Sequence, residues 1–146
     1  MTEISKLLQS KPDATVHTIA PSASVLDALR LMAEKGIGAL LILEGDAIVG
    51  IFTERDYARK IALLGRTSAA TLVRDVMTTT VRFVRSAQTT GQCMQLMTDH
   101  HLRHLPVVDD GKLVGMVSIG DLVKDIISEQ KFTIDQLEQY ISGAVR

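Results

Sequence analysis

A chain of 146 residues, 46% hydrophobic and 23% charged, suits one compact domain or two half-size lobes sharing a core. Its net charge of −1 offers no electrostatic reason to expect nucleic acid or an anionic membrane, and no apolar run is long enough to span a bilayer. One cysteine, Cys93, excludes an intramolecular disulfide and a zinc ribbon.

In chain order, the N-terminus Met1-Thr2-Glu3-Ile4-Ser5 has no basic stretch leading into an apolar one, so a cytoplasmic setting is expected. Ile4, Leu7 and Leu8 predict a short helix within residues 1–11. Residues 16–19 read as a strand. Ser24 then caps a helix, with Asp27 three residues on completing a capping box and Val25, Ala28, Leu29 and Met32 as its buried stripe. Gly36 and Gly38 end it. Two apolar runs, 39–43 and 48–52, flank the turn Glu44-Gly45-Asp46 and predict a hairpin. Thr53 starts a helix to about residue 64. A small, polar connector follows over 66–75.

The order then recurs: a strand at 81–84, a helix at 90–99, a hairpin of 105–108 and 113–117 around Asp109-Asp110-Gly111-Lys112, and a helix at 120–129. Cys93 lies among its apolar helix positions, which predicts a buried, inert thiol. Ile134, Leu137 and Ile141 put an apolar stripe on an amphipathic C-terminal helix over 131–146. The repeats span 12–65 and 76–130. Neither half buries both sheet faces alone, so the expected fold is α/β (α+β), two pseudo-twofold-related β-α-β-β-α repeats packed into one module.

Shifted by 65 positions, Gly50-Ile51-Phe52-Thr53-Glu54-Arg55-Asp56 falls on Gly115-Met116-Val117-Ser118-Ile119-Gly120-Asp121. The shared pattern is Gly-x-x-(Thr/Ser)-x-x-Asp at a strand-to-helix junction. The glycine permits close approach to the strand. The hydroxyl sits where free N–H groups favour an anion such as phosphate, and the carboxylate can accept from two vicinal hydroxyls. Thr53-x-x-Asp56 and Ser118-x-x-Asp121 are equally capping boxes, and spacing alone leaves both readings open.

These motifs, with Asp75-Val76-Met77-Thr78 and Leu102-Arg103-His104-Leu105-Pro106-Val107-Val108-Asp109, resemble the cystathionine-β-synthase (CBS) domain. From about Pro12 to Glu129 the chain resembles a tandem CBS pair. The resemblance implies a non-enzymatic sensor of energy or redox state. Its ligands would contain adenine (AMP, ADP, ATP, S-adenosylmethionine or NAD(H)) and lie in two clefts between the repeats, with the Asp on the ribose. Carried over, the first cleft takes Ile51, Thr53, Asp56, Thr78, Val81, Arg82, Leu102, Arg103 and His104, with Arg55 and Arg59 reaching phosphates. The second takes Met116, Ser118 and Asp121, with Val16, His17, Ile37 and Gly38. Copy one departs from the family pattern at Gly38-Ala39-Leu40-Leu41, where a proline is common, and lacks the Val-Met-Thr opening.

The arginines predict that the first cleft prefers phosphate-rich AMP or ADP. Gly38 and Gly120 predict a roomier second cleft suited to NAD(H). A homodimer is expected, with a downstream protein partner that the sequence does not identify. His100, His101 and His104 lack a carboxylate or thiol at ligand spacing, so no metal is expected. The six methionines read as core filler. No catalytic motif is evident, and the rival readings are a scaffold with vestigial clefts or a nucleotide-processing enzyme.

Overall fold

The computed structural model describes residues 2–145, with side chains to residue 143. The chain divides into two compact units: Thr15–Arg82, and Met1–Ala14 together with Phe83–Arg146.

In the Thr15–Arg82 unit, β1 (Thr18–Ile19) pairs in parallel with β2 (Ala39–Glu44), which pairs antiparallel with β3 (Ala47–Thr53). Helix α2 (Val25–Lys35) starts where the Ser24 hydroxyl accepts the Asp27 N–H at 3.1 Å, but the Asp27 carboxylate lies 3.8 Å from Arg30, so only half of the expected capping box forms; the helix ends at Gly36, whose φ of 65° suits a residue without Cβ. Its face Val25, Ala28 and Met32 buries against Leu40, Ile42 and Phe52. The hairpin register sets Leu40 opposite Phe52, so both project to that face. Ile61, Val73 and Val76 close the core.

The other unit repeats this plan. Helix α5 (Thr90–His100) has a full capping box between Thr89 and Gln92, and β4 (His104–Asp109) pairs antiparallel with β5 (Lys112–Ser118). Cys93, Met97, Leu105, Val107, Val117 and Leu122 form the core with Ile4 and Leu7 of α1 (Ile4–Ser10). Burial pushes the Cys93 thiol up to about 11, which keeps it protonated and unreactive. Met32 and Met97 are core residues.

Several elements differ from expectation. The first strand shrinks to Thr18–Ile19, and its counterpart at 81–84 is a single parallel bridge from Val84 to Val107. Arg82, Phe83 and Arg85 around Val84 are exposed, so one residue alone has a face to bury. The helix after Thr53 becomes one α-turn, α3 (Glu54–Tyr57), and a π-turn over Ala58–Ala62. The connector contains α4 (Val73–Val76), because Val73 and Val76 have core to bury into. The last two expected helices are one, α6 (Ile119–Val145), since Ser128-Glu129-Gln130-Lys131 offers no breaker; Arg146 lies outside the described residues.

A further difference concerns the repeat boundary. At the 65-residue offset, Leu8 matches Val73 and Lys11 matches Val76, so α1 is the counterpart of α4. The segment opening copy one folds with copy two, and the segment opening copy two folds with copy one.

Candidate functional site

Each unit builds a carboxylate site at the junction of its hairpin with the next helix. In the Thr15–Arg82 unit, Thr53 leaves β3 extended and caps α3. Its N–H donates to Asp56 Oδ2 at 3.0 Å, its hydroxyl lies 3.2 Å from the same oxygen, and the Asp56 N–H donates to Thr53 Oγ1 at 3.2 Å. Asp56 is only 7% exposed, and its other oxygen is also occupied. Thr78 Oγ1 donates to Asp56 Oδ1 at 2.9 Å, and Lys60 Nζ lies 3.2 Å from it while donating to the Val76 carbonyl at 2.9 Å.

The motif glycine explains how Thr78 arrives there. Ile51 and Thr78 exchange two backbone hydrogen bonds, at 2.9 and 2.8 Å. A Cβ on Gly50 would stand 2.5 Å from Met77 Sδ and 3.1 Å from the Thr78 carbonyl oxygen. Only a bare backbone lets the 77–78 segment approach so closely.

In the other unit, Ser118 N–H donates to Asp121 Oδ2 at 2.9 Å and Asp121 N–H donates to Ser118 Oγ at 3.1 Å. The cation here is Lys11, whose Nζ donates to Asp121 Oδ2 at 3.0 Å and to the Met116 carbonyl at 2.9 Å. A Cβ on Gly115 would meet Leu8 Cδ2 at 2.8 Å, so the second motif glycine admits α1. Burial of the Asp121 carboxyl raises its pKa, but the Ser118 N–H, Lys11 and the Ser118 hydroxyl together outweigh this and hold it below the ordinary value.

The structure thus gathers Ile51, Thr53, Asp56 and Thr78 at one site, and Met116, Ser118 and Asp121 at the other. Arg55, Arg59 and Arg82 are exposed in the first site's unit, and Val81 is half-buried there. Val16 and His17, half-buried ahead of β1, belong to that unit too, as do Ile37 and Gly38. The Gly38 carbonyl accepts the Glu54 N–H at 3.1 Å, closing on α3 beside Thr53. Leu102, Arg103 and His104 belong to the second unit. There the Arg103 carbonyl accepts the Ile119 N–H at 2.8 Å, and His104 pairs with Ser118 across the hairpin.

Two groups that contact these carboxylates, Lys60 and Lys11, fall outside the motif. Lys60 carried a signal, since it follows Asp56 by one helical turn. Lys11 carried none, because it lies 110 residues from Asp121. His101 caps α5 in the left-handed region at φ 54°, while His104 sits in β4, so the histidines do not share a helix face. Among the described residues, no three His, Cys, Asp or Glu side chains form a metal-binding group, and no helix is long and apolar enough to cross a membrane.

The protein-family model for the CBS domain matches residues 9–63 and 73–128. The mitochondrial CBS domain-containing protein CBSX3 of Arabidopsis thaliana is 39% identical over 150 residues, covering 97% of this chain and 73% of that protein. A solved CBS-domain protein of Burkholderia ambifaria, proposed to act in signal transduction, is 55% identical with a TM-score of 0.86, covering 88% of this chain and 96% of that one. The CBS pair of the protein MJ0100, solved with 5′-methylthioadenosine and S-adenosyl-L-methionine, shares the fold at 22% identity with a TM-score of 0.75, over 86% of this chain and 99% of that one.

Proposed function

The chain belongs to the CBS-domain family, with two CBS domains in tandem, and from that premise we propose that it is a regulatory sensor binding adenine-containing ligands at its two motif carboxylates. One observation carries this reading: each carboxylate sits at a helix N-terminus and accepts from hydroxyl, backbone N–H or ammonium donors. The vicinal hydroxyls of a ribose are donors of the same kind. On Asp56 they would replace the Thr78 hydroxyl and Lys60; on Asp121 they would replace Lys11. The released ammonium groups would then face the ligand's phosphates. The adenosine-type ligands of MJ0100 support the same ligand class.

The candidate ligands are AMP, ADP, ATP and NAD(H). The first motif shares its unit with Arg55, Arg59 and Arg82 and takes the more phosphate-dependent ligand, AMP or ADP. The second has Gly120 where the first has Arg55, and takes the dinucleotide NAD(H). The sensor works as a homodimer in the cytoplasm and passes ligand state to a protein partner, without catalysing a reaction.

One observation favours a second reading, a scaffold with vestigial sites: Asp56 already has donors on both oxygens. A thermal-shift panel of AMP, ADP, ATP, NAD⁺, NADH and S-adenosylmethionine separates the two. A ligand at 100 times its dissociation constant should add about 2.7 kcal/mol per site. No shift with any of them, together with no adenylate released on denaturing the purified protein, favours the scaffold.

A further inference from the structure

We propose that the C-terminal part of α6 is a self-association surface whose occupant is the same helix of a second copy, parallel and in register. It deepens the two-copy assembly of the reading above. The start of α6 is anchored in its own unit. Leu122 lies in the core, Ile126 is half-buried, and Glu129 accepts the Thr2 hydroxyl at 2.6 Å. Beyond it, every residue from 130 to 143 is exposed, yet the helix continues to Val145. A helix of about 15 residues with no packed face is marginal in water, so a covering partner accounts for its persistence.

The exposed apolar residues identify that partner. Val123, Ile127, Ile134, Leu137 and Ile141 are 41–62% exposed. With Gln130 they recur at alternating intervals of 4 and 3 residues, the spacing of a coiled-coil seam. Ile127, Ile134 and Ile141 take the first seam position, and Val123, Gln130 and Leu137 the second. Isoleucine at all three first positions, with Leu137 at one of the second, favours two parallel strands. In a parallel pair Gln130 faces Gln130 and the two amides satisfy each other. In an antiparallel pair each would face an isoleucine, its polar atoms desolvated without a partner.

Area and charge point the same way. The exposed seam amounts to roughly 600 Å² per copy, or ~1,200 Å² for a pair, which reaches the lower end of stable interfaces. Thr133 and Tyr140 on one flank are uncharged, so Lys131 and Glu138 on the other meet no like charge across a parallel seam. A lipid surface fits poorly: within residues 130–143 the lone cation Lys131 is outnumbered by Asp135 and Glu138, whereas membrane-surface helices are rich in Lys and Arg. Phe132 lies off the seam.

Light scattering of the full chain at micromolar concentration tests this, with the mass read against the 15.9 kDa protomer. The wild type should weigh two copies. A variant carrying Ile134→Asp and Leu137→Asp, both exposed positions, should weigh one copy and keep the cooperative thermal unfolding of its core. Gln130→Cys should cross-link to a covalent dimer under mild oxidation, while buried Cys93 stays reduced. A single-copy wild type overturns the proposal. A double variant that keeps the two-copy mass also overturns it, while leaving the homodimer itself standing. A dimeric Gln130→Cys protein that fails to cross-link overturns the parallel register. Adenine binding is read separately in the thermal-shift panel.

Discussion

Asp56 and Asp121 occupy the same place in two copies of one motif, but their cations come from opposite directions. Asp56 takes Lys60 from its own helix, one turn on, and Lys60 also bonds the carbonyl of Val76. Asp121 takes Lys11 from a distant segment, and Lys11 stands at the repeat position of Val76. At the repeat position of Lys60 stands Asp125, whose Oδ2 is buried with no hydrogen-bond partner among the described residues. The two copies therefore share an arrangement, a capped carboxylate with an ammonium group bridging it to a backbone carbonyl, of α4 in the first copy and of β5 in the second, while differing in which element supplies the ammonium. A buried carboxylate needs paired donors, and any element within reach can provide them.

Removing each carboxylate probes this comparison most strongly. Asp56→Ala strands Thr78, Lys60 and the cap of α3 in a nearly closed site, and should cost about 3 kcal/mol by urea denaturation. Asp121→Ala, at a more open site, should cost about 1–2 kcal/mol. The reverse order would show that Lys11 matters more than the Thr78 side of the first site.

The lysines come next. Lys11→Met should cost about 1 kcal/mol, because Lys11 is 23% exposed and ties α1 to β5. Lys60→Met should cost about half as much, because Lys60 is 38% exposed and its ion pair is screened. Equal losses in paired melts would remove the distinction between the two sites.

Acid titration resolves a smaller difference. The folded protein holds Asp121 below its ordinary value of 3.8, so on acidification the unfolded chain takes up that proton first. The stability Asp121 contributes is complete at neutral pH and disappears as pH falls through the folded value. Asp121→Asn should therefore flatten the loss of stability below about pH 4. An unchanged acid limb would mean that Asp121 contributes nothing there. The smallest effect expected is at Asp125. Asp125→Asn removes a charge whose buried Oδ2 has no compensating donor and should leave stability unchanged or raise it by about 0.5 kcal/mol in calorimetric melts.

Local chemistry was readable in the sequence where it is self-contained. The caps at Ser24 and Thr53, the left-handed stop at Gly36 and the turn at Gly45 all depend on neighbours within four residues, and they form as the residues predict. Both hairpins follow for the same reason. What the residues concealed depends on distant partners. Strand 81–84 reduces to Val84 because its neighbours find no apolar surface, and the connector gains α4 because Val73 and Val76 find one. The exchange of opening segments joins Lys11 to Asp121 and Thr78 to Asp56, and no spacing rule in one copy reveals it. At the sites, the hydroxyl–carboxylate pairs were legible as capping boxes. The lysines that complete them were not, because an ammonium group is recruited by proximity in the fold.

Calorimetric titration with AMP and with NADH, on the wild type and on protein carrying both Asp56→Asn and Asp121→Asn, tests the ligand reading most directly. Asparagine keeps capping capacity but loses the charge that recognises a vicinal diol. Binding to the wild type is expected, with at least a tenfold loss of affinity in the double variant, about 1.4 kcal/mol per site. Unchanged affinity in the double variant, or no binding by the wild type, would contradict it.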